Sequence, residues 1–203
     1  MLCVLTLLVP VRAEIIERIL AVVGGELIML SDAMAAIRFG LVERPEGSGD
    51  PVEAALDALI DRQLQLVEVN RYLPPEPTDA AIEARVAEIR AGFPDEAAYD
   101  AAFDETGMTP ERLRSRVRDT LRITSYRAQR FAAAMQPTEE DLLRYYRFNE
   151  EAFTKDGVLQ PFEEVREQLR VRVGSERTDA LVRDWLATLR RRADVQVLYR
   201  TQG

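Results

Sequence analysis

The C-terminal stretch, residues 161–199, constrains the fold more than any other part of the chain. Large apolar residues recur there at spacings of three, four or eight, namely Phe162, Val165, Leu169, Val173, Leu181, Trp185 and Leu189. These spacings place them along one side of an α-helix, and an apolar side needs a partner to pack against. Residues 195–199 follow, and their β-branched, partly alternating pattern predicts a strand. The only comparable segment lies at residues 18–30, so we predict that the two ends of the chain meet.

Two apolar segments at the N-terminal end predict a β-hairpin. Residues 18–23 and 26–30 flank Gly24 and Gly25, and glycine readily takes the positive φ angles of a two-residue turn. With the C-terminal strand, this hairpin would form a small antiparallel sheet.

Apolar periodicity, capping residues and prolines predict that the rest of the chain is mainly helical. The predicted helices cover residues 31–41, 52–72, 79–91, 95–107 and 110–135, then a helix that starts after Thr138, and finally the helix that starts at Pro161. Residues 43–51 and 155–158 are predicted loops. The fold class is therefore mainly α, with three short strands.

The composition argues against several classes of function. The chain contains no histidine, so His-based triads, histidine bases and most zinc sites are ruled out. Its single cysteine, Cys3, lies in the N-terminal apolar run, which leaves the rest of the chain without a disulfide or a thiolate nucleophile. The net charge of −8 argues against nucleic acid as a partner, because phosphate binding needs a basic surface. We expect a protein that is not an enzyme and uses no metal or cofactor.

Residues 1–13 are predicted to be a secretory signal peptide. The run is too short to cross a bilayer, which takes about 20 apolar residues. Val11 and Ala13 occupy the small-residue positions of a cleavage site before Glu14. A buried strand and an uncleaved anchor are the alternatives. Export of a chain whose remainder lacks cysteine favours a bacterial periplasm or the extracellular space, with no stable membrane insertion after cleavage.

The mature chain, residues 14–203, has the length of one domain with a core. Within it, residues 14–153 would form an N-terminal helical part. Residues 161–203 would form a returning helix and a closing strand.

Charge is unevenly distributed along the chain. Residues 43–108 contain 16 acidic residues and 5 arginines, whereas residues 109–135 contain 7 arginines and 2 acidic residues. One interpretation is that each helix has a solvated charged face. The other is that the arginine-rich helix packs against the acidic helices through surface ion pairs of about 0–1 kcal/mol each.

Several segments, taken in order, resemble the SurA-type periplasmic chaperones. Residues 21–32, AVVGGELIMLSD, are similar to the AVVN-x-x-x-I-x-x-SD opening of that family, and residues 56–64, LDALIDRQL, are similar to its L-x-x-LI-x-x-x-L segment. Matching segments follow in the family's order at 78–89, 93–107, 108–113, 161–165, 185–190 and 193–197. The resemblance covers nearly the whole mature chain.

The chain departs from the family in two places. Relatives often carry parvulin-type prolyl isomerase modules, of about a hundred residues and with active-site histidines, before the returning helix. Here only a few residues separate Phe153 from Pro161, and there is no histidine. The glycines at 24 and 25 also replace the family's asparagine-containing turn. The resemblance therefore implies the chaperone core without isomerase activity.

The resemblance implies an ATP-independent periplasmic holdase that binds unfolded or extended segments of exported and outer-membrane proteins. The alternative is a dedicated interaction or assembly subunit with one folded partner, and a homodimer is also open. The client-binding candidates are Met34, Ile37, Phe39, Tyr99, Phe103, Tyr145 and Tyr146, each of which could equally be a core residue. Phe39 leads them, because it falls away from the apolar side of its helix. The core candidates are Leu56, Ile60, Leu64, Leu121, Phe162, Leu181, Trp185 and Leu189.

Overall fold

The computed structural model describes residues 17–42 and 49–199, so the predicted signal peptide and most of the predicted loop at 43–51 lie outside the described residues. The described chain contains β1 (Ile19–Val23), β2 (Glu26–Met29), α1 (Leu30–Arg38), α2 (Pro51–Tyr72), α3 (Asp79–Ala91), α4 (Glu96–Thr106), α5 (Pro110–Arg130), a 3-10 helix (Ala132–Met135), α6 (Glu139–Phe148), a second 3-10 helix (Glu150–Phe153), β3 (Thr154–Lys155), β4 (Val158–Leu159), α7 (Phe162–Arg192) and β5 (Val195–Val197). This confirms the predicted mainly α fold class.

The main sheet joins the two ends of the described chain. Its strand order is β2-β1-β5, and both neighbours are antiparallel to β1. Ala21 pairs with Ile28 on one side and with Val197 on the other. Gly24 and Gly25 make the β1–β2 turn with φ angles of 58° and 89°. The predicted hairpin and its pairing with the C-terminal strand are therefore confirmed.

Polar side chains cap the helices where the sequence predicts their starts. The side chains of Asp50, Thr78, Asp95, Thr109 and Thr138 accept hydrogen bonds from backbone N–H groups at the starts of α2, α3, α4, α5 and α6 respectively. Each such bond pairs a backbone donor that the first turn of a helix leaves free.

Three apolar clusters form the interior of the described chain. The first holds the sheet, α1, α2 and the C-terminal ends of α5 and α7. The second lies among α1, α3, α4 and the start of α5. The third holds α6, the second 3-10 helix and the N-terminal half of α7. The helix α7 therefore runs from the third cluster to the first.

The core candidates fall into these clusters, with one exception. Leu56, Ile60, Leu64, Trp185 and Leu189 are buried in the first cluster, Leu121 packs against the second, and Phe162 packs against the third. Leu181 is instead 44% exposed, so its assignment to the core is wrong. It lies on the apolar side of α7, one turn before Trp185, but there the helix borders an open groove rather than a packed neighbour.

Two elements differ from the predicted boundaries. The helix α5 ends at Arg130, and a short 3-10 helix replaces the predicted continuation to Met135. The predicted loop at residues 155–158 is part of a tight β3–β4 hairpin. Asp156 and Gly157 form its turn with φ angles of 53° and 78°, a conformation that Asp-Gly pairs favour.

The arginine-rich helix α5 does pack against its acidic neighbours. Arg114 forms an ion pair with Glu83 on α3. Asp119 of α5 accepts a bond of 3.1 Å from Arg62 on α2. The charge pattern thus predicted a helix–helix contact.

Candidate functional site

An open groove lies between α2 and the C-terminal half of α7. It consists of two adjoining cavities of about 400 and 240 Å³. Glu68, Leu189 and Arg192 line both cavities, so the two form one continuous depression, here called the α2–α7 groove.

Aromatic rings line the wider end of the α2–α7 groove. Trp185 contacts Phe131 and Tyr126, with a ring-centre distance of 5.8 Å in each case. Tyr126 in turn contacts Tyr72 at 5.4 Å. Packed rings of this kind give a large apolar surface that loses little conformational freedom when a partner binds.

The guanidinium of Arg130 lies over this aromatic wall. Its central carbon is 5.6 Å from the ring centres of both Phe131 and Trp185, a cation–π arrangement. Arg130 also donates a hydrogen bond of 3.2 Å to the Tyr126 hydroxyl. Burial is the main cause that raises the pKa of Tyr126, so the hydroxyl stays protonated at neutral pH. One end of the groove thus has a cation and a neutral hydroxyl beside an apolar surface.

Apolar side chains on both helices face solvent around the groove. Tyr72 is 63% exposed and Val67 is 38% exposed on α2, and Leu181 is 44% exposed on α7. The narrower end adds Val23, Leu64 and Ala193, next to the ion pair between Glu68 and Arg71. Covering apolar surface is favourable by about 25 cal/mol per Å². The groove therefore suits apolar side chains of a partner.

A second hollow, of about 350 Å³, lies between α6 and α7. Tyr145 and Val173 line it, and Phe148 on its edge is 82% exposed. The Tyr145 hydroxyl donates a hydrogen bond of 2.6 Å to Glu176, which is the first cause that lowers the pKa of this carboxyl. This hollow is a smaller apolar site.

A polar cleft of about 330 Å³ lies among β2, α2 and α5. Asp32 pairs there with Arg112 at 3.4 Å and with Arg116. The side chain of Arg62 is largely buried, and this burial, followed by repulsion from Arg116, lowers its pKa. The arginines and carboxylates balance one another, so the cleft is best interpreted as a polar link that fixes α1 and α2 against α5.

The aromatic client-binding candidates of α1 and α4 are mostly interior. Phe39 is only 3% exposed, and its ring contacts Phe103 at 4.9 Å and Tyr99 at 6.2 Å. The prediction that Phe39 points away from the core is therefore wrong. It follows the last residue of α1 with φ −93° and ψ 5°, so helical periodicity no longer gives its direction. Phe103 is partly buried and Tyr99 is buried, both in the second cluster.

The other candidates lie apart from one another. Met34 is 36% exposed, whereas Ile37 is partly buried against the first cluster. Tyr145 and Tyr146 pack on the third cluster, where the Tyr146 hydroxyl donates to the carbonyl of Gln160 at 2.5 Å. None of the candidates lines the α2–α7 groove.

The residues that line the groove had a weak signal in the sequence. Tyr72 is the last residue of α2, directly before Leu73, which adopts a positive φ of 44°. An aromatic residue at the end of a helix has packing neighbours on fewer sides, and the proline-rich stop after residue 72 marks that end. Helical periodicity alone cannot separate such a residue from a core residue.

Comparison of the sequence with models of known protein families gives no match, and comparison with curated proteins gives no significant relative. Within residues 17–42 and 49–199, no helix is both long and apolar enough to span a membrane. The same residues contain no group of three or more acidic, histidine or cysteine side chains arranged to hold a metal ion.

Proposed function

We propose that this protein is a periplasmic, ATP-independent holdase that binds unfolded segments of exported and outer-membrane polypeptides. The proposal excludes catalysis: the protein would delay client aggregation by reversible binding alone. It rests on the resemblance of the ordered segments to SurA-type chaperones, together with one observation on the structure. That observation is the α2–α7 groove, with its aromatic wall and its exposed apolar rim.

The groove fits weak binding of many sequences better than tight binding of one ligand. Its apolar contacts are non-directional, so they accept different apolar side chains. The cation of Arg130 and the pair between Glu68 and Arg71 lie along it and can contact polar backbone and side-chain groups. The net charge of −8 keeps such a protein soluble while an apolar groove stays open.

The test is suppression of aggregation without ATP. An outer-membrane β-barrel protein unfolded in urea is diluted into buffer that contains the protein, and light scattering is followed. We expect near-stoichiometric wild-type protein to suppress scattering. Leu181→Asp places a charge against the client's apolar side chains, and the amount needed should rise about fivefold or more.

The matched control is Val171→Asp on the same helix. Val171 is 61% exposed and does not line the groove, so this variant should suppress aggregation like wild type. Thermal unfolding of both variants separates effects on folding from effects on binding. If the wild-type protein leaves aggregation unchanged, or if it binds one folded partner and no unfolded client, the holdase proposal fails.

A further inference from the structure

The outer edge of β5 presents backbone groups that have no partner in the described chain. Gly24 N–H donates to the Asp194 carbonyl at 3.0 Å, and Leu198 N–H donates to the Leu20 carbonyl at 2.8 Å. Residues 194, 196 and 198 therefore direct their hydrogen-bonding groups toward β1, because alternate residues of a strand point to opposite sides. The backbone groups of Val195 and Val197 point away from β1, and among the described residues nothing is hydrogen-bonded to either N–H.

The two edges of the main sheet differ. At the β2 edge, the carboxylate of Asp32 accepts a bond of 3.0 Å from Met29 N–H as the strand turns into α1. At the β5 edge, Val197 is 40% exposed and Leu198 is 54% exposed. The sequence of β5, Val-Gln-Val, contains neither the charge nor the proline that commonly protects an edge strand.

The β5 edge continues into the α2–α7 groove. Ala193 and Asp194 line the narrow end of the groove, and the next residue begins β5. Val195 pairs with Val23, which also lines the groove, so the side chains of both lie on the same face of the sheet. A strand added to β5 would place alternate side chains on that face.

We infer that clients bind by strand addition. An extended client segment pairs antiparallel with β5 through the outward backbone groups of Val195 and Val197, and its alternate apolar side chains enter the α2–α7 groove. This inference rests on the proposed holdase function and defines its substrate as segments with apolar residues at every second position. Pairing between two copies of β5 would join strands of only 3 residues. A stable dimer buries about 1,200 Å² or more, which favours the client as the occupant.

The test uses a fluorescein-labelled peptide in which Val and Thr alternate over about eight residues, a usual strand length. In one version the valine amides are N-methylated, and in a second version the threonine amides are. Antiparallel pairing puts valines opposite Val195 and Val197, so methylated valines lose the hydrogen bonds to β5. We expect binding measured by fluorescence anisotropy to weaken about tenfold for that version, as for the loss of one or two hydrogen bonds, and to stay unchanged for the other.

Losses from both versions, from neither, or from methylated threonines alone would overturn antiparallel strand addition. Val197→Pro is the complementary variant. It removes the outward N–H without removing a bond to β1, a position where edge strands tolerate proline, and should weaken the unmodified peptide by a similar factor. If Val197→Pro instead dissociates a dimer in sedimentation and leaves peptide binding intact, β5 joins copies of this chain and the inference is wrong.

The two proposals can fail separately. If wild-type protein suppresses aggregation and Leu181→Asp does not, the holdase function stands even where both methylated peptides bind like the unmodified one. In that case clients use the groove without pairing to β5.

Discussion

The carboxylate of Asp141 ties α6 to α7 and should give part of the stability a defined pH dependence. It accepts hydrogen bonds from Thr138 N–H at 2.9 Å and from Arg177 at 2.8 Å, and these contacts, led by the arginine, hold its pKa well below the ordinary 3.8. A depressed pKa means that the stabilisation is present above pH 4 and is lost as pH falls through the folded-state value. We predict that Asp141→Asn lowers the thermal midpoint at pH 7 and that the difference from wild type shrinks below about pH 4.

The matched variant for this pH dependence is Arg177→Gln. It removes the partner that contributes most to the depressed pKa, so its own difference from wild type should shrink over the same acidic range. A difference between Asp141→Asn and wild type that stays constant from pH 7 to about pH 2 would show that the charge of Asp141 does not contribute.

The helix α7 meets the first 3-10 helix at a glycine. A Cβ added to Gly174 would lie 3.2 Å from both the Cα and the carbonyl oxygen of Met135, which are backbone atoms that cannot swing aside. Alanine normally stabilises a helix interior over glycine by about 1 kcal/mol. We predict the opposite sign here: Gly174→Ala should lower the free energy of unfolding in urea, because α7 must move away from residues 132–135.

Ser175→Ala is the control for Gly174→Ala. Ser175 is exposed at the next position of α7, so alanine there should be neutral or stabilising by about 0.5 kcal/mol. If Gly174→Ala stabilises the protein as much as Ser175→Ala does, the close approach to Met135 does not restrict the helix.

How far the sequence predicts each element depends on whether local chemistry determines it. Caps such as Thr138 and the Gly24–Gly25 turn act within a few residues, and both lie where they were predicted. Phe39 and Leu181 were assigned wrongly because their exposure depends on elements distant in sequence. Phe39 is covered by α4, and Leu181 lies where the packing between α2 and α7 opens. The groove is likewise a gap between distant helices, and no local pattern encodes a gap.

Across the whole molecule, α7 connects two apolar clusters that share few other links. The third cluster centres on Phe153, which is 1% exposed and contacts Tyr146 at 5.7 Å. The first cluster contains Trp185, the only tryptophan in the chain, so tryptophan fluorescence reports the first cluster. Circular dichroism reports helices around all three clusters. The two signals can therefore separate unfolding of the third cluster from unfolding of the first.

We predict that Phe153→Ala unfolds the third cluster ahead of the first. Removing a buried phenylalanine ring costs about 3–5 kcal/mol, a loss that α6 and the N-terminal half of α7 must bear locally. Part of the circular dichroism signal should then be lost at lower temperature, while the Trp185 fluorescence transition stays near its wild-type midpoint. Leu20→Ala, at a fully buried position of the first cluster, should instead shift the fluorescence transition. If Phe153→Ala shifts both signals together, the clusters unfold as one unit, and α7 transmits the loss along its whole length.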